Sequence, residues 1–167
     1  MILRIGVVSD THIPGRAREL PDELLQAFAR VDLILHAGDL NTLAVLATLR
    51  KLAPVVAVSG NTDGPAVQRA LGWRQIVAVE GCQIGLVHGD RGPGAGTIQR
   101  AQGTFANDSV NAIVFGHSHV PYNHVVGDVL LFNPGSATDR RRQAHCSFGL
   151  LTVADGCVRG EVILTST

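Results

Sequence analysis

The sequence predicts an α/β protein whose mixed sheet is folded into two layers with helices outside. Three short apolar runs in the first half lack polar alternation, which is how strands buried on both faces of a parallel sheet read. Segments with helical spacing lie between them, giving a βαβαβ start. The second half switches to paired apolar runs joined by glycine-containing turns, which is the pattern of antiparallel hairpins.

Taken in order, "LRIGVVS", "DLILHA" and "PVVAVS" are the three strand runs, rich in Val, Ile and Leu and expected to lie side by side in parallel. Between the first two, "ELPDELLQAFARV" places Leu20, Leu24, Phe28 and Val31 on one helical face, with Pro21 suited to a first turn. Between the next two, "NTLAVLATLRKLA" repeats the pattern with Leu43, Leu46 and Leu49 or Leu52. Three hairpins follow, turning at Glu80-Gly81, at Gly127-Asp128 and at Asp155-Gly156, so antiparallel pairing should dominate this half. One more helix fits "GTIQRAQGTFAN", with Ile98, Ala101 and Phe105 on one face, leading into the buried run "NAIVF".

A chain of 167 residues with 46% hydrophobic content is long enough for one real core, so residues 1–167 are expected to form a single domain. No linker, repeat or low-complexity tract divides it. Charged residues are 17% of the chain and balance to zero, so no global field favours an extended nucleic-acid surface or an anionic membrane. Any bound anion must therefore be held locally. Lys51 is the single lysine, which leaves little room for Schiff-base chemistry. Cys82, Cys146 and Cys157 are odd in number and lack CxxC spacing, so they read as three buried free thiols. The N-terminus runs straight into a strand pattern and no apolar run spans a bilayer, so a cytoplasmic location is expected.

Polar residues able to bind a metal collect where the apolar runs end. "VVSDTH" offers Asp10 and His12, "LHAGDL" Asp39, "AVSGNTDG" Asn61 and Asp63, "GLVHGD" His88, and "VFGHSH" His117 and His119. In an open α/β sheet, ligands bind beyond the carboxyl ends of the strands, so these ends can converge on one site. If the segments are extended, residues i and i+2 share a side, so Asp10 with His12 and His117 with His119 would each point one way. Gly38, Gly60 and Gly116, each just before a ligand, allow sharp turns or close backbone approach. Imidazoles and carboxylates without thiolate suit a borderline or hard divalent ion such as manganese, iron, nickel, cobalt or zinc. Seven of these ligands, with Asp63 set aside, suit two ions, about 3.5–4 Å apart, with one carboxylate between them.

At these residues the sequence resembles the calcineurin-like metallophosphoesterases, whose pattern is DxH, GD, GN, a later His and GHxH. The elements read "DTH", "GD", "GN", "HG" and "GHSH" here, in that order, from residue 10 to residue 119. "FNPGSAT", Phe132 to Thr138, extends the likeness to the small YfcE-type phosphodiesterases. The resemblance implies a four-layer α-β-β-α sandwich of two mixed β-sheets flanked by helices, the metallo-dependent phosphatase fold. It implies one metal held by Asp10, His12, Asp39 and His119, another by Asp39, Asn61, His88 and His117, and catalytic roles for Asp39, Asn61 and His117. Two divalent ions, manganese first, and a small phosphate-ester substrate attacked by a metal-bridging hydroxide complete the expectation. Relatives of this type often associate, which admits a homo-oligomer.

Two positions depart from the pattern. Thr62 follows GN where many members carry a His thought to protonate the leaving group, and a hydroxyl is far too weak an acid for that. Asp90 stands where relatives often show a second His and reads as support for the site or part of a lid. "DRGPGAGT" is expected to be a mobile active-site lid, Arg140 to Arg142 a solvated loop that can also reach a phosphate, and Trp73 and Tyr122 residues that pack or rim the site. His36, His124 and His145 are taken as structural. A phosphomonoesterase is the related alternative. The chain is also similar to the phosphoesterase-fold subunit of retromer, a scaffold that departs from the family at GD and GN, whereas Asp39 and Asn61 are both present here.

Overall fold

A computed structural model of the chain describes residues 1–166. β1 (Leu3–Val8), β2 (Leu33–His36) and β3 (Val55–Ala57) are adjacent and parallel, as the apolar runs predict. α1 (Asp22–Phe28), with Pro21 at its N-cap, and α2 (Ala44–Leu49) connect them. α3 (Pro65–Leu71) follows β3 and was not expected from the sequence. It is 7 residues long with Val67 as its one buried residue, so it shows no apolar stripe to read.

The chain then builds a second sheet. β4 (Arg74–Val79) and β5 (Cys82–Val87) form the first hairpin, α4 (Thr97–Thr104) crosses over, and β6 (Ala112–Val114), β7 (Tyr122–Val126) and β8 (Val129–Asn133) complete it in the order β4-β5-β6-β8-β7. Antiparallel hairpins supply most of the pairings in this half, as expected, but the centre of this sheet is parallel. β5, β6 and β8 pair in parallel, and only the edge strands β4 and β7 run against their neighbours. The last hairpin, β9 (Ser147–Ala154) and β10 (Cys157–Leu164), instead joins the first sheet, giving β10-β9-β1-β2-β3.

Two five-stranded mixed sheets therefore face each other with helices outside, which is the expected four-layer sandwich. Alternation along each strand makes the layers. Ile5 and Val7 of β1 and Leu35 of β2 meet Ile84, Leu86, Val114 and Phe132 between the sheets. Ile34 faces outward to Leu24, Phe28 and Leu46 of the helices, and Ile113 and Leu131 face Ala101 and Phe105 on the other side. Gly6 is small because the Phe28 ring lies against it; a Cβ there would come within 2.7 Å of that ring.

Cys82 and Cys146 are buried, but Cys157 is exposed, which corrects the expectation of three buried thiols. It opens edge strand β10 just after the Asp155-Gly156 turn, where the sheet has no neighbour to cover it. The glycine-rich segment "DRGPGAGT" lies against α4, with the backbones of Gly92, Gly94 and Pro93 close to Arg100, Gln99 and Gly103. No helix among the described residues is long and apolar enough to cross a membrane.

Candidate metal centre

Every polar group that the sequence places at a strand end lies beyond a carboxyl end: of β1, β2 and β3 in one sheet, and of β5 and β6 in the other. Backbone hydrogen bonds hold these ends together. Asp10 N–H donates to Gly38 O at 3.0 Å, His12 N–H to Asp39 O at 3.0 Å, and Gly116 N–H to His88 O at 2.9 Å. The NPGS turn closes the arrangement, with Ser136 Oγ donating to Asp10 O at 2.8 Å and Thr138 Oγ1 to Thr11 O at 2.7 Å. Asn133 Nδ2 donates to Gly116 O at 2.9 Å.

Asp10, His12 and His119 bring ligand atoms within 4.8 Å of one another, and so do Asp10, Asp39 and His88. His12 Nε2 lies 3.7 Å from Asp39 Oδ2 and 3.3 Å from His119 Nε2; His88 Nε2 lies 3.2 Å from Asp39 Oδ2. Asn61 Oδ1 sits 3.1 Å from both His88 Nε2 and His117 Nδ1. All seven residues are thus brought together. His117 and His119 nevertheless turn to different partners, Asn61 and Asp10 respectively.

The i, i+2 argument is corrected by the backbone. Asp10, His12, Asp39, His117 and His119 have φ of 54°, 44°, 58°, 68° and 60°, so these segments are left-handed rather than extended. Clustered left-handed non-glycine residues are strained and persist only where the surroundings over-determine them. Gly38 has φ 97°, and a Cβ there would lie 2.8 Å from His88 Nδ1. Gly60 and Gly116 serve close approach instead: a Cβ would fall 2.1 Å from Asp39 Oδ1 and 1.9 Å from Ser9 Oγ.

Hydrogen bonds fix the imidazoles of His12, His88 and His119 with their Nε2 atoms facing inward. His88 Nδ1–H donates to Ala37 O at 2.7 Å and His119 Nδ1–H to Asp139 O at 2.6 Å. Thr62 Oγ1 donates to Asn41 Oδ1 at 3.0 Å, so it accepts from His12 Nδ1–H at 3.4 Å. With the three rings neutral, three lone pairs converge on two carboxylates, an array of acceptors facing acceptors. Asp10 Oδ1 is buried at its centre without a hydrogen-bond partner among the described residues. Only a cation satisfies that arrangement, and a divalent metal on neutral imidazoles with oxygen-anchored Nδ1–H groups is its usual form. The residues fit the metal.

Without a metal, a proton on His88 supplies part of the positive charge that the two carboxylates call for. Burial opposes ionisation of Asp10 and Asp39, but His119 and His88 beside Asp10, and His88 and Thr62 beside Asp39, hold both carboxyls below the ordinary range. Burial disfavours a charged His88, yet Asp39 and Asp10 raise its pKa to about 9. His12 and His117 are shifted down, chiefly by burial.

Sequence reasoning offered Asp63 as a ligand candidate and missed Ser9 and Asp139; the structure gives all three supporting roles. Asp63 accepts backbone N–H bonds from Asp39, Asn41 and Gly60 at 3.0, 2.7 and 2.8 Å, tying the GD and GN turns together. Its carboxyl is pushed up, mainly by burial. Ser9 Oγ donates to Asp10 Oδ2 at 2.6 Å, and Asp139 orients His119. Ser9 next to Asp10 and Asp63 just after Asn61 were the available signals, while Asp139, twenty residues from His119, carried none. Arg141 lines a cavity with His12, whereas exposed Arg140 bonds Gln143 O. Asp90 pairs with Arg91, which lies over exposed Trp73, and Tyr122 lines a separate apolar cavity beside Ser118. His124 and His145 are exposed and outside the cluster, while His36 lies buried directly behind it.

Residues 3–156 match the family model described as the calcineurin-like phosphoesterase superfamily domain. A probable metallophosphoesterase of Methanothermobacter thermautotrophicus is 40% identical over 137 residues, covering 80% of this chain and 77% of that protein. A phosphodiesterase of Methanocaldococcus jannaschii is 25% identical over 149 residues, covering 80% and 83%. Among solved structures, wild-type Vps29 of Entamoeba histolytica complexed with zinc superposes with a TM-score of 0.76 at 26% identity, covering 97% of this chain and 99% of that one. With fold, strand-end cluster and sequence likeness in agreement, the chain belongs to the calcineurin-like phosphoesterase superfamily.

Proposed function

We propose that this chain is a dinuclear metal-dependent phosphodiesterase that hydrolyses a small phosphate ester, with manganese as its first metal and nickel, iron, cobalt or zinc able to replace it. The carrying observation is the orphaned, buried Asp10 Oδ1, ringed by inward imidazole nitrogens at 3.3–3.8 Å. Asp10, His12, Asp39 and His119 would hold one ion and Asp39, Asn61, His88 and His117 the other. Bound there, two divalent ions polarise phosphoryl oxygens and acidify water towards hydroxide near neutral pH.

The chain itself supplies fixed geometry. Asp63 and the Asp139 carbonyl hold the ligand loops, Asn61 stands between His88 and His117, and the Thr62 hydroxyl sits at the cavity edge. Thr62 cannot donate a proton to a poor leaving group, so esters with good leaving groups are favoured. The named phosphodiesterase relative supports a diester over a monoester. On this reading residues 1–167 act as one cytoplasmic unit on a small substrate, with no extended nucleic-acid surface and no membrane surface, and a homo-oligomer is compatible with it. The second reading is a scaffold, favoured by the near-complete overlap with Vps29.

The test is hydrolysis of bis(p-nitrophenyl) phosphate and p-nitrophenyl phosphate by metal-stripped protein refilled with Mn²⁺, Ni²⁺, Zn²⁺ or Mg²⁺, beside Asp39→Asn. Metal-dependent diester turnover, reduced a hundredfold or more in Asp39→Asn, is expected. Preference for the monoester would instead make it a phosphomonoesterase. Absence of turnover together with absence of metal binding at micromolar concentration would leave the scaffold.

A further inference from the structure

One side of the site is basic although the chain as a whole is neutral. A cavity of about 240 Å³ is bounded by His12, Asn41, Thr62, Asp139, Arg16 and Arg141. A larger one, about 630 Å³, adjoins it through Asp139 and Arg141 and runs on past Leu20, Pro21 and Ala137. Arg141 is a left-handed residue with φ 48°, held by its own N–H donating to Asp139 Oδ1 at 3.3 Å. Its Nη1 reaches 3.5 Å from His117 O, and no carboxylate among the described residues pairs with its guanidinium. Arg16 Nε lies 3.4 Å from Asp139 Oδ2. The basic pair is thus braced on the residue whose carbonyl also orients His119.

We propose that Arg141, with Arg16, forms an anion subsite for a second phosphate group on the substrate, beside the ester that is cleaved. The proposal rests on the phosphodiesterase reading above and narrows its substrate class. Two guanidinium groups face this end of the cavity against the single carboxylate of Asp139, which leaves a net positive charge. Guanidinium donors in a planar fork match phosphate oxygens. Glu19 and Asp22 line the far part of the larger cavity and disfavour an anion there. That part, with Leu20, Pro21 and Ala137, suits the organic portion of the molecule. The strained backbone of Arg141 is of the kind that marks ligand clamps.

The matched probes are the p-nitrophenyl ester of thymidine 5′-monophosphate with and without a 3′-phosphate, on manganese-loaded protein. The 3′-phosphate is expected to raise kcat/KM roughly tenfold, mainly through KM, a gain typical of one charge-assisted contact. Arg141→Gln and Arg16→Gln should bring the ratio of the two substrates close to one, and Arg142→Gln should leave it unchanged. A ratio near one in the unaltered protein overturns the subsite, as does a ratio that Arg141→Gln does not change, which would place Arg141 on the cleaved phosphate or in solvent. Calorimetry with thymidine 3′,5′-bisphosphate against thymidine 5′-monophosphate separates this inference from the catalytic one. Tighter binding of the bisphosphate, lost in Arg141→Gln, upholds the subsite even in a protein that turns nothing over. Equal affinities overturn it whatever the turnover.

Discussion

At the scale of single residues, the site is organised by what each side chain does with its second polar atom. His12, His88 and His119 each spend Nδ1–H on an oxygen of the chain, which leaves Nε2 for a cation. Thr62, beside Asn41 and His12, follows GN where the family pattern is expected to carry a His. Thr62→His should therefore raise turnover of alkyl esters relative to p-nitrophenyl esters by roughly tenfold or more, the low end of general acid catalysis. The ratio of the two rates is the check. His36 is a different case. Its Nδ1 accepts from Gly38 N–H at 3.2 Å, so Nε2–H donates to Thr11 Oγ1 at 3.1 Å, and burial lowers its pKa to about 3. The unfolded chain, with His near 6.5, takes up the proton first. Stability from this group is complete above pH 6.5 and is lost as pH falls from there towards 3, by up to about 1.4 kcal/mol per pH unit. Urea unfolding in EDTA at pH 7 and pH 5 should show that loss, with a shallower pH dependence in His36→Gln.

At the scale of elements, the strand ends and their turns decide whether the ligands meet. The sequence marks each strand end with an apolar run, a glycine and a polar residue, so the candidate ligands could be named without coordinates. What it could not show was the backbone conformation beyond each strand. Left-handed Asp10, His12, Asp39, His117 and His119 depend on hydrogen bonds from other loops, which local spacing does not encode. The short α3 was hidden for a related reason, since a single buried Val67 leaves no periodicity. Close approach at Gly116 gives a direct test. A Cβ there would overlap Ser9 Oγ and stand 2.6 Å from Asp10 Oδ2. Gly116→Ala should cost about 1–3 kcal/mol in urea unfolding, the usual range for overpacking, and weaken metal binding by displacing Asp10.

At the scale of the whole molecule, the centre is a junction between two sheets. Asp10, Asp39 and Asn61 come from one sheet and His88, His117 and His119 from the other, so a metal bound there ties the layers of the sandwich together. Binding to the folded state alone should then stabilise the fold. At a metal concentration one hundred times Kd the gain is about 2.7 kcal/mol, or roughly 5–10 °C in Tm for a chain of this size. Thermal unfolding with and without Mn²⁺ should show that rise in the unaltered protein, and Asp10→Asn should abolish most of it.

The sequence by itself determined the α/β class, the three parallel strands, the three hairpins and the identity of the seven converging residues. Those features follow from local periodicity, turn chemistry and the order of residues along the chain, all of which are short-range. Only the tertiary structure decided that the last hairpin pairs with β1 rather than extending the second sheet, and that β5, β6 and β8 run in parallel. It alone brought Arg16 and Arg141 to one cavity with His12. Pairing between distant strands and contacts between distant loops are set by how both sheets bury their shared apolar faces, a property of the folded whole that no window of sequence contains.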